Sequence, residues 1–217
     1  MKTIIFDMDG LMFDTETLWI TSAVKIGKEM GYNFSKNLPI STIGTTQKTT
    51  EKLFKEKLGQ DFPFELFHDK YRALMDEVIR KKGIKTKKGL KQLLNYLIKN
   101  NYTIAIGSSS EEGRINWYLE KANIDKSIFN LIFSGVNLKH SKPDPEIFIT
   151  ICKKLNIKTN EAIVLEDSNN GIKAAHKAGC LSILIPDVDI IKKETRQMAD
   201  YEFKDLTKVI DFLETQS

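Results

Sequence analysis

The sequence predicts an α/β protein: a doubly wound parallel sheet with a helical insert near its start. Three observations carry this reading. Short apolar runs rich in β-branched residues recur at 3–6, 102–106, 131–133, 162–165 and 181–185, as expected of strands buried on both faces. Helical patterns separate the later runs, and such alternation marks a parallel sheet with crossover helices. Between 15 and 83 the alternation stops, and helical patterns occur there without any strand-like run.

Each element has a local reason. The first run, "TIIF", leads straight into "DMDG". A helix is expected over 17–30, where Leu18, Ile20, Ala23, Val24 and Ile26 give one apolar side, and others over 49–58 and 65–80. Phe62, Phe64, Phe67, Tyr71 and Leu74 enrich the last of these. A connection this long without structure would be uncommon. The insert is therefore read as a small helical domain over 15–84, and the core as 1–14 joined with 85–217, with hinges at 14–16 and 83–87. In the core, 89–99 places apolar residues at 90, 93, 94, 97 and 98, and further helices are expected over 111–122, 145–155, 168–178 and 206–213. Ser168 suits the cap of its helix and Gly179 its end, and Asp144-Pro145 puts proline just inside a helix start.

The bulk numbers exclude several classes. Of 217 residues 41% are hydrophobic, enough for a packed core. The 33 basic and 29 acidic residues are mixed along the chain; no basic stripe with interleaved aromatics points to nucleic acid. No run reaches the length of a membrane span. Cys152 and Cys180 fit neither a metal spacing nor a disulfide framework and read as buried reduced thiols. The first lysine leads directly into a strand that Asp7 interrupts, unlike a secretion signal, so a cytoplasmic location is expected.

In an open parallel sheet, ligands sit beyond the carboxyl ends of the strands. The first strand delivers Asp7 and Asp9, which strand alternation would point the same way. Two carboxylates about 4 Å apart repel by a few kcal/mol at a protein surface, and a divalent cation would offset that. The second strand ends in "IGSSS", the third is followed by "HSKPDP", and the fourth ends in "LEDSNNG". Carboxylates, hydroxyls and one lysine at a single edge suit a phosphate with magnesium, which takes oxygen ligands. Ser108, with the amides of the turn after it, can hold phosphate oxygens, unless it merely caps the next helix. Lys142 can neutralise negative charge.

"DMDG", "SSS" after a strand, "KPDP" and "EDS", in that order, resemble the four motifs of the haloacid dehalogenase-like hydrolase superfamily. The insert directly after the first motif resembles the subgroup with a helical cap, which includes β-phosphoglucomutase and sugar-phosphate phosphatases. The resemblance covers essentially the whole chain and implies a Rossmann-like core. It also implies residue roles: Asp7 as nucleophile, forming an aspartyl-phosphate, and Asp9 as general acid and base. Magnesium ligands would be the Asp7 carboxylate, the Asp9 backbone carbonyl and Asp167, with Glu166 as ligand or support. Ser108 and Lys142 would clamp phosphate, and Ser109 and Ser110 are further candidates for that contact. His140 stands nearest the edge among the histidines.

The same resemblance separates reactions. Dehalogenases lack the second aspartate of the first motif, and phosphonate hydrolases replace it with alanine; Asp9 argues against both. A β-phosphoglucomutase carries a histidine where this chain has Trp19, and cations around a cap glycine where this chain reads "TIGTTQK". A mutase must hold a second phosphate and needs such cations; Lys48 is the nearby exception. The expected activity is magnesium-dependent hydrolysis of a small phosphoester, a sugar phosphate foremost, with nucleoside monophosphates and phosphoglycolate as other candidates. A phosphosugar mutase and a non-catalytic metabolite sensor are the alternatives. The cap arrangement needs no partner chain, so a monomer is expected.

Overall fold

The computed structural model describes residues 2–188 and 191–215. Six parallel strands form one sheet: β1 (Thr3–Phe6), β2 (Thr103–Ser108), β3 (Leu131–Ser134), β4 (Ala162–Glu166), β5 (Leu181–Leu184) and β6 (Tyr201–Glu202). Their order is β3-β2-β1-β4-β5-β6. The order reverses at β1, whose neighbours continue in opposite directions, so the crevice that binds ligands in doubly wound folds opens at its carboxyl end.

The apolar runs bury side chains alternately on the two faces. Ile4, Phe6, Ile104, Ile106, Ile163 and Leu165 enter one cluster, with Leu93 and Leu97 of α5 (Leu90–Lys99), Ile115 and Leu119 of α6 (Glu112–Lys121) and Val209 of α10 (Thr207–Thr215). Ile5, Ala105 and Val164 enter the other, with Phe148 and Ile151 of α7 (Glu146–Lys154) and Ala174 and Ala175 of α8 (Asn169–Ala178). Both thiols are buried and free, in this second cluster.

Four helices follow β1: α1 (Thr15–Glu29), α2 (Asn37–Ile40), α3 (Gln47–Leu58) and α4 (Phe64–Lys82). They share a separate aromatic core in which Phe54, Phe62, Phe64 and Phe67 are at most 2% exposed. The two connections to the sheet run side by side. Asp14 N–H donates to the Lys85 carbonyl at 2.9 Å, Lys87 N–H to the Met12 carbonyl at 2.9 Å, and the Lys85 ammonium to the Asp14 carboxylate at 3.0 Å.

Among the described residues the structure adds elements that the sequence patterns do not suggest: α2, β6, α9 (Lys193–Met198) and two 3-10 turns, Lys126–Ile128 and Thr159–Glu161. All are short. The two residues of β6 are exposed, so they carry no apolar signature.

Candidate active site

The strand β1 stops at Phe6, one residue before the first aspartate. The ladder goes one step further, with Asp7 N–H donating to the Leu165 carbonyl at 3.0 Å. The chain then turns. Met12 and Phe13 N–H both donate to the Met8 carbonyl, and Gly10 takes φ +83°, a region that favours glycine. Gly10 N–H donates to the Phe13 carbonyl at 3.0 Å and to Thr15 Oγ1 at 3.2 Å. Asp9 thus lies in this turn, and strand alternation is not what aims it; the turn brings it to the same cleft as Asp7. Asp9 accepts from Ser110 Oγ at 2.9 Å, and its charge raises the Asp7 carboxyl less than that of Glu166 does.

Lys142 is the hub. Its ammonium donates to Asp7 Oδ1 at 2.5 Å, to Glu166 Oε1 at 2.6 Å and to the Gly107 carbonyl at 3.2 Å. Three strand ends, β1, β2 and β4, therefore meet on one cation. Burial works against its charge, but Asp7 and Glu166 outweigh burial and hold it firmly protonated.

Glu166 is fully buried and fully engaged. Its second oxygen accepts from Asp167 N–H, Ser168 N–H and Ser168 Oγ at 3.2, 3.4 and 3.1 Å. It braces both Lys142 and the loop that presents Asp167. Ser168 in turn caps α8, accepting from Gly171 N–H at 3.0 Å. A Cβ on Gly171 would lie 1.8 Å from the Glu166 carboxyl carbon, so the helix start can approach only as glycine.

Ser108, at the end of β2, is buried and accepts from Ser110 N–H at 3.0 Å. It does not cap α6, whose first turn starts beyond Glu111 with no side-chain cap. Ser108, exposed Ser109, Lys142, Asp167, Asp7 and Asp9 all line one cleft of about 300 Å³. His140 lies outside it.

The electrostatics call for positive charge. Burial pushes the Asp7 carboxyl up to about 8 despite Lys142, and Glu166 adds to the rise. Burial, then Asp7 and Glu166, hold Asp167 well above the carboxylate range. Oxygens of Asp7, Glu166 and Asp167 lie within 4.8 Å of one another. Gly10 leaves the space beside them, since a Cβ there would sit 2.1 Å from Asp167 Oδ2. Hard oxygen donors with excess negative charge fit a magnesium ion. Nearby, Asp187 pairs with Lys87, and its other oxygen is the one buried side-chain polar atom without a partner among the described residues.

The cap contributes a second cavity of about 210 Å³, lined by Trp19, Thr42, Thr50, His68, Tyr71 and Arg72 among others. Trp19 faces this cavity and packs on Tyr71 with ring centroids 4.3 Å apart. Lys48 is exposed and lines neither cavity, whereas Arg72 lines both. Sequence reasoning weighed cap cations only around Gly44 and missed Arg72. The signal was present: 64, 68, 71, 72 and 75 recur at helical spacing along α4 and all face the cavity.

Comparison with known proteins identifies the family of the chain. Residues 4–185 match the family described as haloacid dehalogenase-like hydrolase. The chain is 26% identical over 183 residues to a phosphorylated carbohydrates phosphatase of Thermotoga maritima, covering 82% of each. It is 28% identical over 193 residues to a phosphoglycolate phosphatase of Nitrosospira multiformis, covering 86% of this chain and 83% of that one. Its fold matches the crystal structure of a β-phosphoglucomutase from Clostridium difficile with TM-score 0.76 and 23% identity, over 99% of this chain and 96% of the other.

Proposed function

The chain belongs to the haloacid dehalogenase-like hydrolase family and is a phosphoric monoester hydrolase, and we propose that it hydrolyses a small phosphorylated metabolite, a sugar phosphate foremost, through a phosphoryl group carried on Asp7. The observation that carries this reading is the meeting of Asp7, Glu166 and the Gly107 carbonyl on the Lys142 ammonium, beside Asp167. A substrate phosphate placed over Asp7 has Lys142 and the Ser108 turn beside it. Phosphoryl transfer needs placement and charge neutralisation above all.

In the first step an Asp7 oxygen bonds to phosphorus while the ester P–O bond breaks, and Asp9 gives its proton to the departing alcohol oxygen. Asp9 lines both cavities, so it stands where the phosphate meets the alcohol. In the second step Asp9 takes a proton from water as the water oxygen attacks phosphorus, freeing phosphate and restoring Asp7. Asp7, Asp167 and the Asp9 carbonyl would hold magnesium, with Glu166 bracing from behind. Bound there, the ion neutralises charge on the carboxylates and the phosphate. Ser108 and Ser109 supply the phosphate contacts.

The test is phosphate release from a panel of sugar phosphates, phosphoglycolate, nucleoside monophosphates and p-nitrophenyl phosphate, with magnesium and with EDTA. Magnesium-dependent release is expected, highest on a sugar phosphate. Isomerisation of β-glucose 1-phosphate in the presence of its bisphosphate would overturn the hydrolytic reading, and magnesium binding without turnover of any ester would replace it with a sensor.

A further inference from the structure

The reaction cleft and the cap cavity are separate spaces that share a neck. Six residues line both: Asp9, Glu16, Ile43, Gly44, Thr45 and Arg72. Among the described residues Arg72 is the one lysine or arginine on the cap cavity and, with Lys142, one of two on the cleft. A substrate with its phosphate at Lys142 and its body under the cap must pass this guanidinium.

Arg72 is aimed by its neighbours. On a helix its ordinary ion-pair partner would be the acid four residues on. That acid, Asp76, is taken by Arg114 at 2.5 Å. Among the described residues Arg72 enters no ion pair within 4.0 Å. Tyr71, the adjoining residue, is fixed against Trp19 and Phe67 at centroid distances of 4.3 and 5.3 Å, which anchors this turn of α4.

The neck has one donor fork, that of Arg72, alongside the carboxylates of Asp9 and Glu16 and the hydroxyl of Thr45. A guanidinium only donates, through five N–H groups; a carboxylate such as Glu16 only accepts; a hydroxyl does both. Beyond the neck the cavity is walled by Phe64, Met75, Trp19 and Thr50, with His68 as its remaining basic side chain. A second phosphate would meet Glu16 at the entrance and no lysine or arginine beyond Arg72. A neutral body with hydroxyls near the phosphoester finds the Arg72 donors and the Thr45 hydroxyl along the neck.

We propose that Arg72 is the specificity-determining residue of the cap, donating to hydroxyl oxygens on the carbons next to the phosphoester, so that the protein selects singly phosphorylated polyhydroxy compounds. This rests on the phosphatase reading above. The selectivity ratio tests it: kcat/KM for the fastest of glucose 6-phosphate, sorbitol 6-phosphate and ribose 5-phosphate, divided by kcat/KM for p-nitrophenyl phosphate. It is measured on the full chain, the wild type against R72A and R72K, with melting temperatures checking the fold. R72A should lower the ratio by about 10- to 100-fold, the range for losing a charged hydrogen bond, mainly through KM of the hydroxylated substrate. R72K, without the planar fork, should restore it only in part. An unchanged ratio in R72A, whether both activities fall together or neither does, overturns the assignment, as does a wild type that prefers p-nitrophenyl phosphate. A wild type that releases no phosphate from any of these esters overturns the phosphatase reading itself, an outcome distinct from an unchanged ratio.

Discussion

The floor of the cleft and its roof are built on opposite plans. On the floor, polar groups hold one another: Lys142 grips Asp7 and Glu166, and Glu166 braces the loop that carries Asp167. The arrangement is buried and assembled before any substrate arrives. On the roof, Trp19, Tyr71, His68 and Arg72 project from helices whose own core is a separate aromatic cluster, joined to the sheet by two paired connections. The floor is fixed for one kind of chemistry and the roof is a surface on which selection can vary. Damage to the floor should therefore remove turnover, whereas damage to the roof should change which alcohol is released.

The largest expected effect lies on the floor. D7N keeps the shape of the side chain but cannot carry the phosphoryl group, and turnover should fall by at least about 10⁴-fold. Its circular dichroism should match the wild type, because Lys142 retains Glu166; near-normal rates would mean that the floor does not react as described. D9N comes next, at roughly 10²–10⁴-fold. Its loss should be smaller on esters whose alcohol leaves readily, such as p-nitrophenyl phosphate, and kcat across a series of leaving groups checks this.

On the roof, Phe54 is fully buried at the centre of the aromatic cluster. F54A should destabilise the cap by about 3–5 kcal/mol, read by urea unfolding. Its kcat/KM should fall more on sugar phosphates than on p-nitrophenyl phosphate. Equal falls would show that roof and floor are not separable.

A further effect is a pH dependence. With Asp7 raised from 3.8 to about 8, the folded metal-free chain keeps a proton that the unfolded chain has released. Stability from this group is fully present below about 4 and is lost as pH rises toward about 8. Melting in EDTA across that window should decline with pH in the wild type and decline less in D7N.

The floor was largely legible in the sequence because each of its residues lies at a strand end or in the loop that follows one, and a parallel sheet gathers strand ends at one edge. Asp7, Ser108, Lys142 and Asp167 needed only strand order to be placed together. Asp9 reaches the same cleft as Asp7, and because it lies past the end of β1 the turn at Gly10 contributes to its placement, a detail that strand periodicity does not encode. The bracing role of Glu166 depends on hydrogen bonds that spacing does not encode. The roof was less legible because its cavity lies where helices cross. Arg72 sits beside a buried tyrosine on α4, and periodicity alone does not say whether such a flank meets solvent or a neighbouring domain. Short elements such as β6, exposed at both residues, left no pattern to read.

The most direct measurement is to mix wild-type protein with its fastest substrate under single-turnover conditions, quench in acid within the first half-life, and map the phosphoryl group by peptide mass spectrometry. The account predicts that the label appears on the peptide containing Asp7, is absent from D7N, and accumulates in D9N if hydrolysis slows more than transfer. Full phosphate release with no labelled peptide at any quench time, or a label on another residue, would contradict it.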